Sequence, residues 1–176
     1  LAFCADSEIF STEQIRSALT YAIDREALAE NIYRGFALPA TLPASPRSPY
    51  YSQVLAERYT YDADKFSQAV MTAGFMDKPV TLLVNRDDSL RLRVARSIEK
   101  MLEAGGLNVT IKDLSGNSYL SALKKREYDL YLGQTRLSPN MDLSAFFETY
   151  GALSWGGVND LGAYALSLQA LENHGN

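Results

Sequence analysis

Three side chains that can bind a small molecule stand next to one another at Gln134, Thr135 and Arg136. They offer an amide, a hydroxyl and a guanidinium, which can hydrogen-bond the polar groups of a ligand. Arg136 can pair with a ligand carboxylate in bidentate fashion, or equally with a neighbouring acid of the protein. Because the run YDLYLGQ (128–134) reads as a strand, we expect Gln134 and Thr135 to face a cleft at its carboxyl end.

Two residues further along the chain are also candidates for ligand contact. Asp142 can bind a ligand amine, but an aspartate ahead of a helix more often caps it, and we prefer that interpretation. Trp155 stands beside two glycines and can stack on a ligand, although a tryptophan in a lobe of this size is usually core. The predicted ligand-binding residues are Gln134, Thr135, Arg136, Asp142 and Trp155.

The residue types argue against catalysis and against a bound metal. His174 is the only histidine and Cys4 the only cysteine, so a Ser-His-Asp triad, a Cys-His pair or a histidine-rich metal site is implausible. Asp87 and Asp88 are adjacent acids, but such a pair before a helix is far more often a cap. The chain also has no G-x-S-x-G motif and no phosphate-binding loop. We expect no enzyme activity, no catalytic residue, no metal and no cofactor.

The central part of the chain predicts three strands joined by two helices. VTLLVN (80–85) is apolar, residues 107–112 alternate apolar and polar side chains, and residues 128–134 are aromatic and aliphatic. Helical spacing of apolar residues predicts the first connecting helix, with Arg91, Arg93 and Arg96 on its solvated face.

Short strand-helix-strand connections imply parallel strands with right-handed crossovers. Ligands of such open sheets bind beyond the carboxyl ends of the strands. The residues at those ends are 85–87, 113–116 and 134–136, which we expect to share one edge of the sheet.

The flanking segments predict helices that cover this sheet. Ser11 and Gln14 have the spacing of a capping box, and Asp24 predicts a bend between two abutting helices. Asn117 is a plausible cap for the second connecting helix. Four prolines within residues 37–51 indicate an extended loop, and a last amphipathic helix is expected from Asp160 to about residue 171.

Composition narrows the classes of function. The chain has 176 residues, 47% of them hydrophobic and 22% charged, which is ordinary for one globular domain or one lobe of a larger protein. The net charge is −4, from 17 basic and 21 acidic residues, and this argues against a nucleic-acid partner. No apolar run approaches the roughly 20 residues that span a bilayer.

Several motifs resemble one known family. The run IRSALTYAIDREALAENIYRGFALPATLP (15–43) closely resembles a helix-loop block of the family 5 extracellular solute-binding proteins, the oligopeptide and dipeptide receptors of ABC importers. That block has the pattern R-A-L-x-Y-A-I-D-R-E, followed by a glycine and a proline-rich loop. The run VTLLVNRDDSLRLRVARSIEKMLEAGGLNVTI resembles the next strand-helix-strand of the family, and Tyr128-Asp129-Leu130 resembles its Y-D-L strand.

The resemblance implies a fold and a function. The implied fold is α/β, a periplasmic-binding-protein type II-like lobe with a largely parallel sheet flanked by helices, and residues 1–176 would form a single lobe of a two-lobed protein. The implied function is that of a substrate-binding component of an ABC importer, with a peptide or other small solute held between this lobe and a second one. In that family an acidic ligand-facing residue often follows the Y-D-L strand. Asp142 is the nearest match, without the usual Asp-Pro pair.

The resemblance also implies partners and a location. The partners would be a small solute or short peptide and the membrane permease of the transporter, with neither nucleic acid nor a stable homo-oligomer. The location would be periplasmic or extracellular and membrane-associated, and the full-length protein could be a lipoprotein. Two other classes stay open: a ligand-sensing domain of the same fold fused to a transcriptional regulator, and a hydrolase or transferase using carboxylates at the strand ends.

Overall fold

The computed structural model describes residues 1–138 and 140–173, and within them four strands form one sheet of order β1-β4-β2-β3. The strands are β1 (Ala2–Phe3), β2 (Pro79–Asn85), β3 (Asn108–Leu114) and β4 (Leu130–Leu132). β2 pairs in parallel with both β3 and β4, whereas β1 pairs antiparallel with β4 at the edge. The predicted parallel strand-helix-strand-helix-strand unit is confirmed, and the sheet is largely parallel.

Eight α-helices lie within the described residues, and two of them are the crossovers of the parallel unit. The helices are α1 (Glu13–Ala22), α2 (Arg25–Asn31), α3 (Gln53–Ala56), α4 (Ala63–Thr72), α5 (Ser89–Ala104), α6 (Gly116–Lys125), α7 (Ser144–Phe147) and α8 (Leu161–Asn173). α5 leads from β2 to β3, and α6 leads from β3 to β4.

The core has two parts, one on each face of the sheet. Leu82 and Val84 of β2 pack on one face with apolar side chains of α1, α4 and α5, whereas Leu83 and Tyr131 pack on the other face with α6. Leu82, Leu83 and Val84 are all 0% exposed. Because successive strand residues point to opposite faces, an unbroken apolar run is what a sheet covered on both faces requires.

Aspartates cap four of the helices. An aspartate carboxylate accepts a hydrogen bond from the backbone N–H three residues further on at Asp24, Asp62, Asp88 and Asp160, at 2.8, 3.0, 2.9 and 2.9 Å. Each bond satisfies one of the amides that a helix leaves unpaired in its first turn. The predicted bend at Asp24 between α1 and α2 is thereby confirmed.

Two other predicted caps are wrong. The Ser11 hydroxyl donates instead to the carbonyl oxygen of Glu8 at 2.7 Å, and α1 has Thr12 at its N-cap position without a side-chain hydrogen bond. Asn117 lies inside α6, which begins one residue earlier at Gly116.

The last helix, α8, is present as predicted, but the prediction that it is amphipathic is wrong. Leu161, Leu166 and Leu168 are 75%, 67% and 39% exposed, so its apolar side chains are not gathered on one covered face. His174 lies outside the described residues. Among the helices of the described part, none combines the length and the apolar character needed to cross a bilayer.

Candidate functional site

The carboxyl ends of the three parallel strands meet at one edge of the sheet, and side chains tie their loops together there. The Asp87 carboxylate accepts a 2.8 Å hydrogen bond from the Gly116 amide, which joins the loop after β2 to the start of α6. The Arg91 guanidinium donates a 2.9 Å hydrogen bond to the side-chain oxygen of Gln134, which joins α5 to the segment after β4. The loops predicted to share an edge are therefore neighbours.

A cavity of about 300 Å³ opens at this edge, beside β4 and α6. Its walls are mainly aromatic and aliphatic, with a few polar side chains that converge on the interior. The lining residues are Leu1, Ala2, Arg91, Tyr119, Leu120, Leu123, Tyr131, Gly133, Gln134, Thr135, Phe146, Leu153 and Trp155. Apolar walls with a small number of polar groups are typical of sites for small molecules.

The structure brings three of the five predicted ligand-binding residues to this cavity. Gln134, Thr135 and Trp155 line it, whereas Arg136 and Asp142 do not. Arg136 is exposed on the same segment, and it makes no hydrogen bond or ion pair within the described part of the chain.

Asp142 is used by the protein itself. Its carboxylate accepts a 2.9 Å hydrogen bond from the Ser144 amide, and its own amide donates to the Ser138 hydroxyl at 3.1 Å. Hydrogen bonding to Ser144 lowers the pKa of Asp142. The carboxylate therefore braces the first residue of α7, which agrees with the structural interpretation of Asp142.

Trp155 is held in place through its own backbone and that of the next residue. The Tyr128 hydroxyl donates a 2.6 Å hydrogen bond to the carbonyl oxygen of Trp155. The Ala5 amide donates to the carbonyl oxygen of Gly156 at 2.7 Å. A side chain at position 156 would collide with the carbonyl oxygen of Phe3, so glycine allows the turn to approach β1 closely.

Tyrosines form much of the wall on the α6 side. Burial raises the pKa of Tyr131 to about 12, and burial also raises the pKa of Tyr119, partly counteracted by the positive charge of Arg91. The Tyr119 hydroxyl donates to the carbonyl oxygen of Leu132 at 3.3 Å. Both phenols are therefore neutral at physiological pH, suited to packing and hydrogen bonding and not to proton abstraction.

Arg91 is a site residue that the sequence analysis misplaced. The spacing of apolar residues in α5 predicts that Arg91 lies on a solvated face with Arg93 and Arg96, and those two are exposed. The side chain of Arg91, however, is only 20% exposed, and its guanidinium lies 3.2 Å from the Asp88 carboxylate. The signal that could have identified it is its place in the first turn of α5, three residues after the capping Asp88, because that turn sits at the carboxyl end of β2.

The cavity lining contains no histidine, cysteine or carboxylate. Across residues 1–138 and 140–173, no group of three or more potential metal-binding side chains of the types His, Cys, Asp and Glu comes together. The lining can therefore hydrogen-bond, stack on and pair with a ligand, but it has no nucleophile activated by a base.

A larger hollow of about 730 Å³ lies along α1 and α4. It lies on the outer surface of these two helices, where side chains such as Gln14, Lys65 and Gln68 are exposed. It is not at the carboxyl ends of the strands, where ligands of open α/β sheets bind. We therefore take the smaller cavity as the candidate site.

Comparison with known proteins identifies the class of protein. Residues 1–157 match the family described as bacterial extracellular solute-binding proteins, family 5 Middle, and the chain belongs to this family. Its members are extracellular or periplasmic solute-binding proteins and not enzymes.

Two curated relatives and one solved structure illustrate the match. The oligopeptide-binding protein AppA of Bacillus subtilis is 23% identical over 137 residues, which cover 70% of this chain and 25% of AppA. The nickel-binding protein NikA of Staphylococcus aureus is 43% identical over 157 residues, covering 85% of this chain and 31% of NikA. The chain thus spans between a quarter and a third of the length of these relatives.

The crystal structure of S. aureus NikA in complex with Ni(L-His)2 has a TM-score of 0.78 to this chain, covering 90% of it and 35% of NikA. Identity in that comparison is 21%, well below the value from the sequence alignment. The spatial likeness concerns the fold alone.

Proposed function

We propose that this chain is one lobe of a two-lobed solute-binding protein that delivers a peptide or another small solute to the permease of an ABC importer. The observation that carries the proposal is the cavity at the carboxyl-end edge of the parallel strands, where Gln134, Thr135 and Trp155 converge. Membership of the solute-binding family supports it, and so does the length of the chain relative to AppA and NikA. Neither relative is named as a regulator.

We assign distinct roles to the residues of the cavity. Gln134 and Thr135 hydrogen-bond the polar groups of the solute, and the Trp155 ring packs on its apolar part. Arg136 is exposed beside the cavity, so we assign to it a contact with the second lobe or with a part of the solute that extends outside. Asp142 keeps its structural role at the start of α7.

The cavity favours an organic solute. AppA is named for oligopeptides and NikA for nickel. Nickel is bound in proteins mainly through imidazole, thiolate or carboxylate groups, and the lining has none of these. A metal ion entering here would therefore have to bring its own organic ligands, whereas a peptide finds apolar walls and hydrogen-bonding groups ready.

We place the protein outside the cytoplasmic membrane, in the periplasm or on the extracellular side. It would act at the membrane through contact with the permease, with or without a lipid anchor. Because solute would be enclosed by two lobes, this chain supplies one wall of the site.

The test is to follow the cavity directly while peptides are added. Trp155 is the only tryptophan, so its fluorescence reports on this cavity alone, and amide NMR spectra show where else a ligand binds. A library of dipeptides and tripeptides should change Trp155 emission and shift the amide signals of Gln134 and Thr135. Thr135→Val should weaken binding, whereas the matched control Thr72→Val, at the exposed end of α4, should not. Shifts confined to α1 and α4 would contradict the proposal.

A further inference from the structure

We propose that the cavity selects its solute by a carboxylate, which takes the place of Gln134 on the guanidinium of Arg91. This inference rests on the proposed function and names the class of solute: a carboxylate attached to an aromatic or aliphatic body.

The charges around the cavity favour an anion. Arg91 is the only charged side chain in the lining, which has no Asp or Glu. Asp142, the residue whose type suits a ligand amine, lies outside the lining and is hydrogen-bonded to Ser144. An ammonium group in the cavity would therefore lie near the Arg91 guanidinium, and the lining has no carboxylate to pair with it.

The guanidinium has donors to spare. Its Nη2 atom makes two contacts, one with the Gln134 oxygen at 2.9 Å and one with the Asp88 carboxylate at 3.2 Å. A guanidinium carries five N–H groups, and within the described residues Nη1 and Nε of Arg91 make no hydrogen bond. A bidentate carboxylate needs two parallel N–H donors, and each such pair of a guanidinium includes an N–H of Nη2, so a pair becomes available when the Gln134 oxygen leaves Nη2.

Gln134 occupies the position that a carboxylate would take. Its amide oxygen is a neutral acceptor, and hydrogen bonds between charged partners are roughly twice as strong as neutral ones. A ligand carboxylate therefore displaces the Gln134 oxygen, and the freed amide can turn to other polar groups of the solute. When a solute carboxylate replaces Gln134 on Arg91, the contact between α5 and the segment after β4 is broken. Solute entry would therefore be coupled to the loss of this contact.

The walls suit the rest of such a solute. Tyr119 and Tyr131 have raised pKa values because of burial, so they remain neutral and do not repel an anion. Phe146 and Trp155 offer aromatic surface next to the same space. An apolar group bonded to the carboxylate can therefore pack against rings while the carboxylate reaches Arg91.

The test uses three probes of nearly equal size and different charge: 3-phenylpropionate, 3-phenylpropionamide and 3-phenylpropylammonium. Each is titrated into the 176-residue chain, and binding is followed by Trp155 fluorescence and by amide NMR at constant ionic strength. We expect dissociation constants in the millimolar range, with the carboxylate at least five-fold tighter than the amide and the ammonium weakest.

Variants then assign the preference to one side chain. Arg91→Gln should reduce the preference for carboxylate over amide to less than two-fold, and Arg91→Lys should keep part of it because the charge remains without the bidentate geometry. Asp88→Asn retains a capping side chain but removes the competing charge, so the carboxylate should bind more tightly. The matched control Arg93→Gln, on the exposed face of α5, should behave as the unaltered chain does.

The outcomes separate this inference from the proposed function. Equal binding of carboxylate and amide, preference for the ammonium, or an unchanged preference in Arg91→Gln would overturn the inference while the cavity remains a binding site. If none of the probes affects Trp155 or the cavity amides, the cavity is no site and both proposals fall. Amide spectra show whether each variant is folded. If Arg91→Gln does not fold, Arg91→Lys tests whether Arg91 carries the preference for carboxylate.

Discussion

The hydroxyl of Tyr128 lies 2.6 Å from the carbonyl oxygen of Trp155, and this hydrogen bond ties the segment before β4 to the turn that carries the only tryptophan. Tyr128 is 6% exposed, and its ring packs edge-on against Tyr131 with 5.5 Å between centroids. A residue 27 positions earlier in the sequence thereby fixes one wall of the candidate site.

Tyr128→Phe should loosen that wall without disturbing the core. The variant removes one hydrogen bond from a buried hydroxyl and leaves the Trp155 carbonyl without this donor, so the free energy of unfolding should fall by about 1 kcal/mol. Trp155 emission should move to longer wavelength, and its fluorescence anisotropy should fall. Tyr150→Phe is the control, because Tyr150 is 96% exposed. Unchanged emission in Tyr128→Phe would show that the bond does not position the indole.

Asp129 joins three segments at the opposite end of the sheet. One carboxylate oxygen accepts from the Ser7 hydroxyl at 2.6 Å, and the other accepts from the Thr81 amide at 2.8 Å. Asp129→Ala leaves both donors unpaired, and Ser7 is only 7% exposed, so the loss of stability should be about 2–3 kcal/mol in urea denaturation.

Asp129→Asn is the matched variant, since it keeps one side-chain oxygen as acceptor. Its loss should be about half as large, on the order of 1 kcal/mol. If the alanine and asparagine variants were equally stable, the carboxylate would not be the link between these segments. This prediction concerns the Y-D-L motif, whose aspartate is thus structural.

Alkaline pH should destabilise the protein through its buried tyrosines. Burial raises the pKa of Tyr131 to about 12, and that of Tyr128 is also raised, whereas an unfolded tyrosine titrates near 10. Above about pH 10 the unfolded chain has released these protons and the folded chain has not, so stability is complete below that pH and falls as the pH rises to about 12.

Absorbance at 295 nm measures this directly. The rise in absorbance should include a late component, well above pH 10, to which Tyr131 contributes. Tyr131→Phe should reduce this late component and the alkaline loss of stability, whereas the same change at the 96% exposed Tyr150 should not reduce that loss. A single titration of all tyrosines near pH 10 in the folded protein would contradict the assignment.

The sequence predicted the arrangement of the sheet because local patterns determine it. The apolar run of β2 and the helical spacing of α5 each point to one element, and short connections leave a parallel crossover as the only sensible topology. Asp24 has the cap residue type at the position where the apolar stripe of α1 breaks, so the bend could be predicted as well. Ser11 failed as a cap because its hydroxyl bonds backwards to Glu8, a contact that no periodicity reveals.

The candidate site could be predicted only in part. Gln134 and Thr135 come two and three residues after the end of β4, so their place at its carboxyl end follows from chain order. Arg91 was missed because side-chain periodicity describes the sides of a helix but not how close its first turn lies to the next strand end. Asp142 is the opposite case, a residue predicted as a site candidate that the structure does not bring to the cavity. Its residue type suits a ligand, but its carboxylate accepts a local hydrogen bond from the Ser144 amide.

The most direct measurement of the central proposal is calorimetry of one solute with two proteins: this 176-residue chain and a longer, two-lobed protein that contains it. Association costs several kcal/mol in lost freedom, which the contacts of each complex have to overcome. A lone lobe supplies one wall, so this chain should bind with a dissociation constant of about 1 mM or weaker, corresponding to roughly −4 kcal/mol. The two-lobed protein should bind at least about a hundred-fold more tightly, since each 1.4 kcal/mol of added contact is worth a factor of ten. Equal micromolar affinity in both would show that this chain carries a complete site, and the account of it as one wall of a two-lobed site would be wrong.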